Sequence, residues 1–364
     1  MKWFKKILTT AKAYALCPMP CAFRKRICLM PYVLCLIVLP SATQAFTYNH
    51  DNISLRFSGH GMGGAALPES AIYDYRIRGQ AGYALRNGWT IGAVYSMDYL
   101  AYEFDRFYSD AFIFTESPHG RAEIGWTESV SVKLGLGLPD VGAMRVNNNP
   151  IIYKITDTTG VISNPATTGT AYSFRATAVT VPTRPFQLGA SFSPYDENFN
   201  NSAEFGIRYR YPHGKVKFAL AAGAGFTDAP RELYADLYTP RVTADSRSQG
   251  ALAANIQYLG WQFGATLRGI YDRGAIGAPS DGMQTGVGAS YDFLNWSASG
   301  TYILSAIGIW DNNPDFQYSV ITHTGVFSLR YKIDQHFDIF ASTGTVAQSS
   351  SIQPFVAAGL RGRF

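Results

Sequence analysis

Between residues 203 and 226 the chain alternates residue by residue, turns, and alternates again. On the first arm Phe205, Ile207, Tyr209 and Tyr211 interleave with Glu204, Gly206, Arg208 and Arg210. After Pro212-His213-Gly214, Val216, Phe218, Leu220, Ala222 and Ala224 interleave with Lys215, Lys217, Ala219, Ala221 and Gly223. A period of two places each set on its own face of a strand, so the stretch reads as an antiparallel hairpin with one apolar face. A soluble sandwich uses such hairpins too, but arms of about 10 residues also suit tilted strands crossing a bilayer. Repetition along the chain separates the two readings.

The pattern recurs in sixteen segments, at approximately 53–63, 72–86, 89–101, 107–116, 120–127, 170–181, 185–194, 202–212, 215–226, 247–258, 261–272, 283–293, 295–305, 318–332, 336–346 and 354–364. Their connections alternate in length. Short turns fall at Asn87-Gly88, Ser117-Pro118-His119, 181–184, Pro212-His213-Gly214, Leu259-Gly260, Leu294 and Asp334-Gln335. Long ones fall at 64–71, 102–106, 128–169, 195–201, 227–246, 273–282, 306–317 and 347–353. Short turns at one end and long loops at the other describe an antiparallel transmembrane β-barrel, all-β, with about sixteen strands. Residues 131–138 alternate as well, so the segment at 120–127 is open to extension.

The two parities differ in chemistry. One is apolar, with rings near the segment ends, among them Tyr73, Tyr75, Tyr83, Trp89, Tyr95, Tyr99, Tyr209, Tyr211, Trp261, Tyr271, Tyr291, Trp296 and Tyr331. Amphipathic rings favour a membrane–water boundary. The other parity carries Arg76, Arg78, Gln80, Gln262, Thr266, Arg268, Ser297, Ser299, Thr301, Ser328, Arg330 and Lys332. Neither lipid nor a dry core accepts these charges, so they imply a wet interior. The last segment ends at the terminal Phe364, with no tail to thread, and its pairing with the first would close the sheet.

Composition locates a leader. Seven of the 31 Lys and Arg lie in residues 1–45, which hold no acid, leaving 24 bases against 26 acids beyond it. The basic balance of the whole chain therefore says nothing about nucleic acid. All four cysteines, Cys17, Cys21, Cys28 and Cys35, also precede residue 46, which excludes a disulfide framework or Cys-based metal site beyond it. Arg24-Lys25-Arg26, the apolar run 27–40 and Ser41-Ala42-Thr43-Gln44-Ala45 have the form of a secretory signal cut after Ala45. Residues 1–45 are thus expected to be removed, leaving 46–364 as the barrel. The leader is long, and Met19 would begin one of more ordinary length.

The strand pattern, the run Gly120-Arg121-Ala122-Glu123-Ile124-Gly125 entering the longest loop, and the terminal Phe364 together resemble the Gram-negative outer-membrane general porins over residues 46–364. The resemblance implies a homotrimer of sixteen-stranded barrels among outer-membrane lipids and lipopolysaccharide. It implies that the loop 128–169 folds into the lumen and that Phe364 is read by the barrel-assembly machinery. It implies passive diffusion of small hydrophilic solutes. Two features depart from that family: the loop 128–169 holds three acids (Glu128, Asp140, Asp157) against three bases (Lys133, Arg145, Lys154), and Leu138-Pro139-Asp140-Val141-Gly142 only loosely echoes a Pro-Glu-Phe-Gly tip.

Candidate pore-lining and constriction residues are therefore Arg76, Arg78, Arg121, Glu123, Asp140, Arg145, Lys154, Asp157, Arg208 and Arg210, with Asn147, Asn148 and Asn149 beside them. Bases outnumber acids on the wet parity, which leads to an expected weak anion preference. A substrate-specific channel and a surface-binding or adhesion barrel with a closed lumen remain the alternatives. Small outward residues Gly59, Gly61, Ala358 and Gly362 beside Leu55 and Val356 suggest a face for contact between barrels. Catalysis is not expected, since no histidine sits in a pattern supplying a base and its orienting acid to a nucleophile. No His-Glu-x-x-His metal spacing occurs, Gly61-Met62-Gly63-Gly64 lacks the Lys and Ser/Thr of a phosphate loop, and no cofactor is expected.

Overall fold

Alternation makes each strand two-faced, and a sheet of such strands is stable in lipid only when its last edge meets its first. The computed structural model describes residues 46–67, 72–100, 106–142, 173–180, 185–194, 199–230, 246–273, 282–310, 317–348 and 351–364. Its strands are β1 (Phe46–His50), β2 (Ile53–Leu67), β3 (Ile72–Ala84), β4 (Thr90–Leu100), β5 (Arg106–Ser117), β6 (Gly120–Thr127), β7 (Ser173–Thr180), β8 (Phe186–Ser193) and β9 (Phe199–His213). They continue as β10 (Val216–Pro230), β11 (Ser246–Tyr258), β12 (Trp261–Arg273), β13 (Gly282–Phe293), β14 (Trp296–Trp310), β15 (Gln317–Lys332), β16 (Phe337–Gln348) and β17 (Ser351–Arg363). One short helix, α1 (Val130–Leu134), follows β6.

From β2 onward each strand pairs antiparallel with the next, and β17 pairs back onto β2 from Val356↔Leu67 to Arg363↔His60. β1 occupies the rest of that same edge, from Phe46↔Phe57 to His50↔Ile53. Between them Phe364 and Gly59 exchange backbone hydrogen bonds of 2.8 and 2.9 Å. β17 and β1 thus line one edge of β2 end to end, and seventeen segments make a closed ring of sixteen strands.

All sixteen expected segments are strands, with ends displaced by at most five residues. Three expectations need correction. β1 was not foreseen: its five residues, Phe-Thr-Tyr-Asn-His, have no clean alternation, and all are exposed. Residues 131–138 do not extend β6. The chain turns into α1 after Thr127 and then runs on without regular structure through 135–142. The connection expected at 347–353 is not long, because β16 and β17 pair up to Gln348↔Ser351.

At the opposite end the turns are equally tight. Tyr258↔Trp261 and Phe293↔Trp296 close two-residue loops. Leu259 and Gly260 both have positive φ, 46° and 86°, the mirror-image turn whose twist matches that of the flanking strands. Leu294 has φ 52°, at a cost for a non-glycine residue of roughly 1–2 kcal/mol.

The outward parity is exposed in the isolated chain: Phe205, Leu252, Val287 and Phe327 are each about half exposed or more. Such side chains contribute roughly 1.5–3 kcal/mol each when apolar surroundings cover them. Ring pairs Phe186–Tyr209, Trp261–Tyr291 and Trp296–Tyr331, with centroids 4.5, 4.6 and 4.8 Å apart, lie near the tight turns. They form part of an aromatic girdle at that end. Among the described residues no helix is long and apolar enough to cross a membrane, which says nothing about strands.

Candidate functional site

The inner wall is not uniform. Residues 128–142 leave the top of β6 and run sideways along the inner face of the strands that follow. The Val130 amide donates to Ser191 Oγ on β8 (3.2 Å), and the Ser131 amide to Glu204 Oε2 on β9 (3.4 Å). Leu136 packs with Ala221 of β10 and Ala253 of β11, while Asn255 Nδ2 donates to the Gly137 carbonyl at 3.1 Å. The Val141 amide donates to Ser299 Oγ on β14 at 3.1 Å. The wall accepts this segment because its inward side chains are small there. A Cβ on Gly264 would meet Pro139 Cδ at 2.5 Å, and one on Gly286 would meet Leu138 Cδ1 at 2.7 Å. The period-two pattern serves both geometries: α1 buries Val130, Ser131 and Leu134, and the extended continuation buries Leu136 and Leu138.

Beneath α1 lies a buried charge pair. Arg175 on β7 and Glu204 on β9 are each 1% exposed, with Nη1 and Oε1 3.8 Å apart. Charges so enclosed persist only when paired.

The remaining inner wall keeps long charged side chains. Arg76 on β3 meets Asp98 on β4 (3.1 Å), Asp110 on β5 (2.8 Å) and Glu128 (3.6 Å). Glu123 on β6 is held by Arg121 and Lys133, both at 2.7 Å, and accepts from Thr127 Oγ1. Val94, Phe112 and Phe114 form a small apolar patch within this wall. Arg121 lies over the Phe114 ring at 3.9 Å, with Arg78 and Lys133 5.8 and 5.6 Å from the Phe112 centroid. Cations over ring faces keep their charge toward water while shielding the carbon beneath. Lower down, Asp338 on β16 holds Arg361 and Arg363 of β17 at 3.0 and 3.4 Å.

A closed ring of sixteen strands, apolar outside and charged inside, is an architecture for letting water and ions through a membrane. The sequence pattern of the Gram-negative porin family matches residues 73–319. The chain belongs to the Gram-negative porins. Solved structures agree on the fold. A loop-deletion mutant of OmpT, an outer-membrane protein of Vibrio cholerae, is similar at TM-score 0.65 and 12% identity, over 86% of this chain and all of that one. The trimer form of OmpT from the same organism gives 0.60 and 12% identity over 86% and 100%. OmpF of Salmonella typhi, in complex with daunomycin, gives 0.60 and 11% identity over 88% and 100%. Among curated proteins none matches by sequence. The porin is an outer-membrane channel protein.

Of the residues singled out in the porin's sequence, Arg76, Arg78, Arg121, Glu123, Arg208 and Arg210 all lie on the inward parity. Arg76 gathers two acids that sequence reasoning did not pair with it, Asp98 and Asp110. Asp110 was overlooked; its signal was its register opposite Ser96, whose hydroxyl donates to it at 2.9 Å. Arg175 was also missed, and its parity with Thr177 on β7 was the available clue. Asp140 lies at β14, accepting from the Gly142 amide (2.9 Å) and from Ser299 Oγ (3.5 Å). Arg208 lies under α1, donating from Nη1 to the Lys133 carbonyl at 3.3 Å. Arg145, Lys154 and Asp157, with Asn147, Asn148 and Asn149, lie outside the described residues, as does the leader 1–45. Among the described residues no cluster of His, Cys, Asp or Glu is suited to a metal.

Proposed function

We propose that this porin is a passive diffusion channel for small hydrophilic solutes and ions, with a weak anion preference. The observation that carries the reading is an imbalance in pairing along the inner wall. The inward acids Asp98, Asp110, Glu123, Glu204, Asp292 and Asp338 each stand in an ion pair. Arg78, Arg208, Arg210 and Lys217 stand in none among the described residues. Fixed charge lining a narrow, water-filled passage enriches the ion of opposite sign, and salt screens it. Arg76, Arg78, Arg121 and Glu123 line the passage on one side, in this reading, and the segment 128–142 with Asp140 narrows it from the other. Arg145, Lys154 and Asp157 belong to the same loop. Reversal potential under a salt gradient tests the preference: a shift toward the anion potential, growing as salt falls, is expected, and cation selectivity at low salt overturns it.

The rest of the reading concerns delivery and assembly. Cleavage after Ala45 is supported by the place of Phe46 opposite Phe57 on β2, only two residues along from Gly59, which pairs with Phe364, so that little room is left on that edge for chain before Phe46. The Phe364 ring lies 6.0 Å from that of Phe57, an ordered position for a residue handed over by the barrel-assembly machinery. Self-association as a homotrimer in lipid and lipopolysaccharide is supported by the trimer form among the similar structures. Its contact face would use Ala358 and Val356, both exposed, whereas Gly61 is buried within the chain. Gly59 instead makes room for Phe364, since a Cβ there would meet Phe364 Cζ at 2.5 Å.

A further inference from the structure

Arg208 is held in an unusual way for a cation on a channel wall. Its Nε and Nη2 both donate to Gln187 Oε1 on β8, and its Nη1 donates to the Lys133 carbonyl. A guanidinium has five N–H donors, so three are spent on neutral oxygens and two remain. Arg210 follows on the same face of β9, opposite Ala219, and Lys217 of β10 lies opposite Pro212, one rung lower. Diagonal neighbours on one face of an antiparallel pair are about 7–8 Å apart, so the three cations form one group. Arg210 and Lys217 are exposed, and Arg208 is half-buried.

Nothing acidic answers them on the surrounding wall. β8, β11 and residues 216–227 of β10 contain no Asp or Glu. The one acid of β9, Glu204, pairs with Arg175 above Gly206. Of the acids elsewhere toward the tight-turn end, Glu116 pairs with Arg121, Asp292 with Arg330, Asp338 with Arg361 and Arg363, and Asp51 with His50, while Asp334 accepts backbone amides in the turn before β16. The group lies just above the turn at His213↔Val216, below the segment 130–142, on the end that faces the periplasm in barrels of this kind.

We propose that Arg208, Arg210 and Lys217 form a binding site for polyvalent oxyanions, of the phosphate-chain or polycarboxylate class, at the periplasmic mouth of the channel. It rests on the reading of the chain as an open, anion-preferring channel and adds a location, a ligand class and a sidedness to it. Adjacent cations repel one another, and an anion with several oxygens relieves that repulsion by bridging them. Arg208 is already fixed by Gln187 and Lys133, so little side-chain freedom is lost when its two remaining donors engage. A monovalent anion reaches one cation at a time and gains none of this.

The test uses protein purified from outer membranes, in planar bilayers, with inorganic tripolyphosphate as the probe. A His213→Cys variant, modified by a membrane-impermeant thiol reagent, identifies which chamber faces the tight turns. Tripolyphosphate should block current from that side at a concentration at least about tenfold below the other side, the scale of a few charge-assisted hydrogen bonds. The triple variant Arg208→Gln, Arg210→Gln, Lys217→Gln should lose the asymmetry, and Arg86→Gln, which removes a charge from another turn at the same end, should keep it. Should the triple variant not fold, Arg210→Gln with Lys217→Gln removes only exposed groups and should still weaken the block several-fold. Equal block from both sides, or sided block unchanged in these variants, overturns the site while leaving the channel's general preference standing. Cation selectivity by reversal potential together with sided block lost in the variant overturns the general preference and keeps the site.

Discussion

The inner faces of β7–β16 and of β17 round to β6 follow the same alternation yet do opposite things. On the first, inward positions such as Gly264, Gly286, Ala221, Ala253 and Ser299 are small, and a length of chain lies against them. On the second, Arg76, Arg78, Asp98, Asp110, Glu123 and Arg361 keep long or charged side chains turned inward. Parity decides which residues look inward; volume and charge decide whether what they meet is protein or water. The same ion pair should therefore be worth different amounts on the two halves.

The largest effect is expected under the covered half. Arg175→Met leaves Glu204 enclosed at 1% exposure without its cation, which should cost roughly 3–5 kcal/mol in urea unfolding of the detergent-solubilised barrel. On the open half, Arg76→Met strands Asp98 and Asp110, whose side chains are 6% and 2% exposed while Arg76 covers them. Arg76 itself, however, is 24% exposed against 1% for Arg175, so its loss lets water in toward them. A cost of about 2 kcal/mol, with a weakened anion preference, is expected there. Equal costs for the two variants would break the comparison.

Overpacking the seat comes next. Gly264→Leu or Gly286→Leu drives a side chain into Pro139 or Leu138, at about 1–2 kcal/mol, and single-channel conductance should change because the segment must lift. Unchanged conductance would mean that the segment does not bound the passage. Arg330→Met should cost under about 1 kcal/mol, since its partner Asp292 is 58% exposed.

The smallest effect lies outside both halves, in the turn before β16. Asp334 accepts from the backbone amides of His336 and Phe337, both at 2.7 Å, and these hydrogen bonds hold its pKa below the ordinary 3.8. A carboxyl with a lowered folded pKa stabilises the fold above its ordinary value and loses that contribution as pH falls through the lowered one. The small difference in thermal midpoint between wild type and Asp334→Asn should be constant above about pH 5 and should close in stronger acid.

What could be read from the chain follows from this division. Strand positions were legible because each depends on its own alternation and on turn residues beside it. The seat was not, because it depends on β8–β16 being brought under a segment far away in sequence. Val130, Leu134, Leu136 and Leu138 alternate as a strand does, and only the wall beneath them makes the first part a helix. Charge parity was legible for Arg76 and Arg208, but pairing was not: Asp98 and Asp110 reach Arg76 through two cross-strand registers. β1 carries too few residues to show a period, and its place is defined by the edge that β17 leaves open on β2.

That shared edge has a further meaning. The hydrogen-bond ladder along β2 passes from Phe364 to Phe46 without a peptide bond between them. Continuity of the wall is thus independent of continuity of the backbone at that rung. The cylinder has a seam, and among the described residues Ser58, between the rungs of Phe364 and Phe46, is the position of β2 left without a paired residue on that edge. A chain joined from Phe364 to Phe46 by a short linker and opened instead at His213 would present the same rungs in the same circular order.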